Sequence, residues 1–378
     1  MKQSWHSESI EDLCEVEYGT RVVRKRDAGT IYLVYGGGGA TFSMDTYNRE
    51  DRMVIARFAM SKRCVRFVDG KFFLNDSGLT ISPLDDNTFD QDFLNYQILS
   101  LNDEIYSLAR GTAQKNLNVN AFKKVQLSYP ASLEEQKQIV AKLDQCFEAI
   151  DKARANAAKN LENAKELFQS KLNEIFSQKG EGWVEVVLNE IGETQTGTTP
   201  PTKDISNYGD YIPFVKPPHF SPDGSINTGS SMLSKSGLEK GRLFQSNSVL
   251  MVCIGATIGK TGFSTVPVSS NQQINCLTPK KEYNPKLFYY GLISPFVQRQ
   301  VIEIGSGSQA TLPIINKSKW SKLRINIPTE RSVQDVIVQL LDGLKQKTQP
   351  LESKYQQELN SLEELKKSIL QKAFEGEL

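Results

Sequence analysis

Histidine is almost missing from this chain of 378 residues: only His6 and His219 occur, far apart in sequence. A histidine-based zinc site or a Ser-His-Asp triad therefore has little raw material. The five cysteines, Cys14, Cys64, Cys146, Cys253 and Cys276, are scattered and include no C-x-x-C pair. That usage fits a reduced, cytoplasmic protein. No apolar run approaches the ~20 residues that span a bilayer. The opening stretch MKQSWHSESIEDL lacks the apolar core of a signal peptide. An excess of either charge is also lacking, with 45 basic and 44 acidic residues and a net charge of +1. There is no global signature of nucleic-acid binding, but a local basic face is allowed.

What the chain does have is an internal repeat. FKKVQLSYPASLEEQKQIVAKLD, from Phe122, aligns without gaps on WSKLRINIPTERSVQDVIVQLLD, from Trp320, at an offset of 198 residues. Pro130 meets Pro328, Gln136 meets Gln334, and Leu143-Asp144 meets Leu341-Asp342. The register holds on to Phe176 and Phe374. The beginnings of the halves match at an offset of 178: Trp5 with Trp183, Leu13 with Ile191, Gly19-Thr20 with Gly197-Thr198. The changed offset reflects longer insertions in the second half. A repeat on this scale fixes the architecture as module, helix, module, helix.

The helices follow from period. Ser132 and Glu135 form a capping box after Pro130. Apolar residues then recur near 3.5 spacing from Ile139 to Ile175, and again from Ile337 to Ile369. Sustained spacing of this kind with charges between predicts coiled-coil helices over about 132–177 and 331–374. Pro350 falls inside the second and predicts a kink or break there. The modules read as mixed α/β. TIYLVYGGGGATF is strand, glycine turn, strand, while DQDFLNYQILSL and NPKLFYYGLISPFVQRQVIE suit helices. The resulting domains are a first module at 1–130, a first long helix at 131–178, a second module at 179–328 and a second long helix at 329–378. The duplication implies a pseudo-two-fold repeat, in an α+β fold.

Two glycine loops invite a nucleotide reading. Gly255-Ala-Thr-Ile-Gly259-Lys260-Thr261 resembles a phosphate-cradling loop but is one residue short of G-x-x-x-x-G-K-[ST]. A phosphate loop also runs into a helix, whereas GFSTVPVSSNQQINCL reads as strand and turn. YGGGGATF, at 35–42, is followed by polar loop and not by a helix. Local charge is more telling. Residues 179–328 hold 15 basic and 10 acidic side chains. Arg21, Arg24, Lys25 and Arg26 cluster just after the Gly19 turn, and Thr198, Thr199 and Lys203 follow the matching Gly197. These are either solvated polar loops or donors for phosphates and base edges. Lys216 and His219 in FVKPPHF, Lys260, and Ser306 and Gln309 in GSGSQATLP belong with them. Lys203, Lys216, His219 and Lys260 are expected on one surface of the second module, and Arg21, Arg24 and Arg26 on one surface of the first.

Two modules, each with a Trp…Leu/Ile…Gly-Thr opening and a Tyr-Pro or Ile-Pro exit into a long helix, resemble the specificity subunits of type I restriction-modification systems. The sharpest stretches are PASLEEQKQIVAKLD, residues 130–144, and the terminal LQKAFEGEL; VYGGGGATF, GKFFLND, TGTTPPTK and GATIGK…NQQI support them. The pattern departs at Pro350 and at Val333-Gln334, where the first repeat has Glu135-Gln136. The resemblance implies that each module is a target-recognition domain reading one half of a bipartite double-stranded DNA site. It implies that the two helices pack antiparallel, set the spacing and carry two copies of the modification (methyltransferase) subunit, which uses S-adenosylmethionine. A restriction subunit would supply ATP- and Mg2+-dependent translocation and cleavage. This chain itself would be a non-catalytic subunit with no cofactor or metal. Two other classes remain open: a coiled-coil adaptor that binds only proteins, and a nucleotide-using enzyme built on residues 255–261.

Overall fold

The computed structural model describes residues 5–306 and 313–377. The chain divides into two compact units, Met1–Ala157 with Gln357–Leu378, and Ala158–Gln356. Each long helix, Leu133–Phe176 or Arg331–Phe374, therefore gives its first part to one unit and its last part to the other.

The repeat seen in the sequence is a repeat of strand pairing. Trp5–Ser9 runs antiparallel to Gln126–Pro130 with Trp5 opposite Pro130, and Trp183–Val187 pairs with Arg324–Pro328 with Trp183 opposite Pro328. The opening tryptophan and the exit proline of each module are thus cross-strand partners. In the first pair, alternation buries Leu127 and Tyr129 and leaves Gln126 and Ser128 outside. A one-turn helix follows each opening strand, Ile10–Leu13 and Leu188–Ile191, burying its first and last side chains.

The sheet of the first unit has six strands in the order Cys14–Tyr18, Gly78–Pro83, Arg49–Ala56, Val65–Leu74, Tyr32–Gly36, Gly39–Met44. The second unit splits the same pattern in two. One sheet orders Gly192–Thr196, Ile274–Pro279, Ser248–Val252 and Thr261–Ser264; the other orders Met232–Leu233, Tyr208–Val215 and Ser269–Ser270. Both patterns include one parallel contact, Val34–Tyr35 beside Phe73–Leu74 and Phe214–Val215 beside Ser269–Ser270. In the first unit Phe89, Phe93, Tyr129 and Phe374 join edge-on around a core that also takes Ile139, Leu143 and Leu370 from the long helices. In the second, Tyr290, Phe288 and Trp320 pack with Leu172, Phe176, Ile337 and Leu341. Burial pushes the thiols of Cys14, Cys253 and Cys276 up to about 12, so they are inert core hydrophobes at neutral pH.

The long helices run as their periodicity demands. Ser132 Oγ accepts from the Glu135 amide at 3.4 Å, capping the first turn. Within the first unit the helix segments are antiparallel, because Asp151 pairs with Lys366 (3.3 Å) and Arg154 with Glu363 (3.5 Å): one number rises as the other falls. One expectation needs correction, and of the kink or break expected at Pro350 the break is absent. The stretch 284–303 is not one helix but two, Pro285–Ile293 and Pro295–Ser306. Pro295 disfavours the helical conformation at the residue before it, and Ser294 is extended with ψ 147°. Pro350 does not break the second long helix, which is continuous through it. One missing backbone donor among 44 residues is outweighed by neighbours that stay packed, notably buried Thr348 and partly buried Leu344.

Candidate nucleic-acid interface

In each module an asparagine turn gathers the loops that follow the sheet strands. In the first, the Asn75 amide donates to Tyr35 O (2.9 Å), and its side-chain Oδ1 accepts from the Ser77 amide (2.9 Å) and hydroxyl (2.6 Å). The Ser77 carbonyl then accepts from the Arg57 amide at 2.8 Å, its hydroxyl accepts from the Gly37 amide at 3.0 Å, and Thr20 donates to Leu74 O at 2.9 Å. The approach is close enough to require glycine: a Cβ on Gly19 would lie 1.9 Å from Asn75 O, and one on Gly36 2.3 Å from Ser77 Oγ. Four segments, Tyr18–Thr20, Gly36–Gly38, Arg57–Phe58 and Asp76–Ser77, therefore meet at one place.

The second module builds the same junction on Asn271. Its amide donates to Val215 O (3.2 Å), its Oδ1 accepts from the Gln273 amide (3.2 Å), and Cys253 donates to Gln273 O (2.7 Å). Thr198 donates to Ser270 O (2.9 Å), and a Cβ on Gly197 would lie 2.2 Å from Asn271 O. Here the segments are Thr196–Thr199, Lys216–His219, Cys253–Gly255 and Gln272–Gln273. The matching Gly-Thr pairs, Gly19-Thr20 and Gly197-Thr198, hold equivalent places in the two junctions.

The backbones agree but the side chains differ. In the first junction the Arg57 guanidinium lies 5.0 Å from the Tyr18 ring centre and 4.6 Å from that of Phe58. Both rings are well exposed, at 46% and 37%. Arg66 donates to Gly37 O at 2.8 Å and steadies the glycine turn. The second junction is rich in amides and hydroxyls. Thr199 bonds Gln272 at 2.5 Å, and Asn271 Nδ2 donates to Gln273 Oε1 at 2.9 Å. Lys216 Nζ lies 5.4 Å from the Phe214 ring centre. His219 Nδ1 accepts from the Lys216 amide at 3.3 Å, and desolvation, helped by the Lys216 charge, holds its pKa below the usual histidine value. At neutral pH it is an uncharged hydrogen-bonding ring, not a cation for a phosphate.

Of the residues singled out in sequence, Thr198, Thr199, Lys216 and His219 belong to the second junction. Lys260 closes the hairpin between Ser248–Val252 and Thr261–Ser264, its carbonyl accepting from Val252 at 2.8 Å. The loop 255–261 is thus a strand-to-strand turn, and no helix N-terminus follows to receive a phosphate. Lys203 lies on the exposed turn ahead of Ile205–Asn207. Arg21 follows directly on the Gly19-Thr20 junction. Arg24, Lys25 and Arg26 form an exposed helical turn that leads to Gly29, whose amide bonds Ser43 on the outer strand. That strand meets Tyr32 through Met44, the end of the hairpin away from the Gly36–Gly39 turn. Arg26 is moreover paired with Asp27 at 2.8 Å. Ser306 ends a helix, its side chain outside the described set, and Gln309 lies outside the described residues. Arg57, Tyr18, Phe58, Gln272 and Gln273 were not legible as site residues. The signal that finds them is the pairing of Asn75 in FFLND with Asn271 in SSNQQ, which emerges only once the strands are aligned.

The family described as the type I restriction modification DNA specificity domain matches residues 2–160 and 180–361. The chain is 30% identical over 154 residues to the HindI specificity subunit from Haemophilus influenzae, across 40% of this chain and 33% of that one. It is 21% identical to a putative type I specificity subunit from Mycoplasma genitalium over 98% of this chain and 94% of that one. A solved chain from work on complex assembly and conformational transition of the type I R-M system superposes with a TM-score of 0.72 at 19% identity, covering all of both chains.

Proposed function

The chain belongs to the type I restriction-modification DNA specificity family, with two copies of its domain, and from that premise we propose that each of its two junctions reads one half of a bipartite duplex DNA site. The observation that carries this reading is the duplicated asparagine junction: one backbone frame, built twice, presenting two different sets of side chains. A frame that fixes loops while their side chains vary is what sequence readout needs. The long helices set the distance between half-sites and dock two modification subunits. Methyl transfer from S-adenosylmethionine and ATP- and Mg2+-dependent cleavage belong to those partners and to a restriction subunit, all acting in the cytoplasm.

The test is binding of the complex assembled with its modification subunit to duplex DNA over a series of salt concentrations. Replacing Lys203, Lys216 or Lys260 by alanine should each lower the salt slope by about 1 and weaken all sequences alike, as expected for a lost phosphate contact. Slopes that do not move would remove these lysines from the interface. Affinity without salt dependence or sequence preference would remove the DNA reading altogether.

A further inference from the structure

We propose that Arg57 is the guanine-reading side chain of the first module, held for that task against the rings of Tyr18 and Phe58. The inference rests on the DNA reading above and adds a residue, a base and a half-site to it. Arginine reads guanine by two parallel hydrogen bonds to O6 and N7, which needs a guanidinium whose edge is open and whose plane is fixed. Arg57 meets both conditions. Its guanidinium carbon lies over two exposed aromatic rings, 5.0 Å from the Tyr18 centre and 4.6 Å from the Phe58 centre, contacts that restrain its orientation. Its backbone is fixed at the asparagine junction by the bond to Ser77 O. Among the described residues, its side chain makes one long hydrogen bond, Nη1 to Asp76 O at 3.4 Å, which leaves most of its five N–H groups for a ligand. Two arginines on the strands of the same sheet are engaged. Arg49 is tied to Thr80, the Asn48 carbonyl and Glu17, and Arg66 to the Gly37 carbonyl. The rings hold the cation without neutralising it, so the charge and the donors point to an electronegative base edge.

The second module strengthens the argument by contrast. Cys253 occupies the place of Arg57, its amide bonded to Gln273 O as Arg57 is bonded to Ser77 O, yet its side chain is 2% exposed. No equivalent guanidinium exists there, so substitution at Arg57 should change one half-site only. Tyr18 and Phe58 are positioning residues: they set the plane of the guanidinium and need not touch the base.

The experiment maps methylated sites made by the complex, assembled with its modification subunit, on a DNA library randomised over both half-sites. Wild type should show a G·C pair at a position of one half-site that Arg57→Lys and Arg57→Ala both relax, preference there falling about 10- to 100-fold. The other half-site should be unchanged. The double variant Tyr18→Leu/Phe58→Leu should relax the same position more weakly. Arg57→Lys keeps the charge and tests the bidentate geometry without endangering folding, which thermal melting of each variant checks. A uniform loss of methylation with all preferences intact would make Arg57 a phosphate anchor and overturn the proposal, leaving the DNA reading standing. A wild-type complex with no bipartite preference would overturn that reading itself.

Discussion

Gln136 and Gln334 show how one side chain can join a helix to a module. Gln136 is fully buried. Its Oε1 accepts from the Asp90 amide at 2.8 Å, and its Nε2 donates to Thr88 O and Pro130 O, each at 3.0 Å. Gln334 repeats this with the Asn284 amide and Pro328 O, both at 2.9 Å. Asp90 and Asn284 are the N-caps of the modules' own helices, Gln91–Ser100 and Pro285–Ile293. Each glutamine therefore links the start of a module helix to the exit proline and to the first turn of a long helix. An amide suits this place because it can donate and accept at once. Replacing Gln136 by leucine keeps apolar bulk but leaves one buried amide and two carbonyls without partners. At about 1–3 kcal/mol for an unsatisfied buried group, partly relieved by relaxation, the loss should be about 2–4 kcal/mol. Urea unfolding should show a lower midpoint for Gln136→Leu, and a similar one for Gln334→Leu. An unchanged midpoint would mean that these bonds do not hold the helix to the module.

At the scale of elements, Pro350 is the instructive case. The helix Arg331–Phe374 passes through it unbroken, so proline there removes one backbone bond from an otherwise continuous helix. Pro350→Ala should therefore stabilise the chain, by up to about 3 kcal/mol, the usual penalty of proline inside a helix. Thermal unfolding measures it, and a lower midpoint would show that the proline is accommodated by a distortion the packing relies on. The same scale decides what could be read in advance. The long helices were legible because 44 residues of 3.5-spaced apolar positions leave little choice, and the modules because their Trp, Gly-Thr and Pro landmarks are duplicated. Ser294 and Pro295 were missed as a helix boundary because the apolar period continues across them. The candidate site was half legible. Thr198, Thr199, Lys216 and His219 stand beside landmark glycines and a proline turn, whereas Arg57 directly follows the strand Arg49–Ala56 in an apolar run and acquires its place only through Tyr18, Asn75 and Ser77, each remote in sequence.

On the scale of the whole molecule, only the first unit is discontinuous: it takes residues from both ends of the chain, and the second is the uninterrupted middle. A change in helix length placed after Ala157 and after Gln356 falls between the units and leaves the packing inside each untouched. The ion pairs Asp151–Lys366 and Arg154–Glu363 remain together, and so do both asparagine junctions. Four inserted residues make slightly more than one helical turn and lengthen each helix by ~6 Å. On DNA that is nearly two steps of ~3.4 Å. If the helices set the distance between half-sites, the double-insertion variant should methylate sites whose unread spacer is longer by about two base pairs. The half-site sequences should stay as they were, because no residue of either junction moves relative to its own sheet. A single insertion, in one helix alone, should instead lower affinity for every spacer by putting the two helices out of step. Methylation mapping on a library of graded spacers distinguishes these outcomes. Altered half-sites with an unchanged spacer would show that the helices do not act as the ruler, and that spacing is set within the modules.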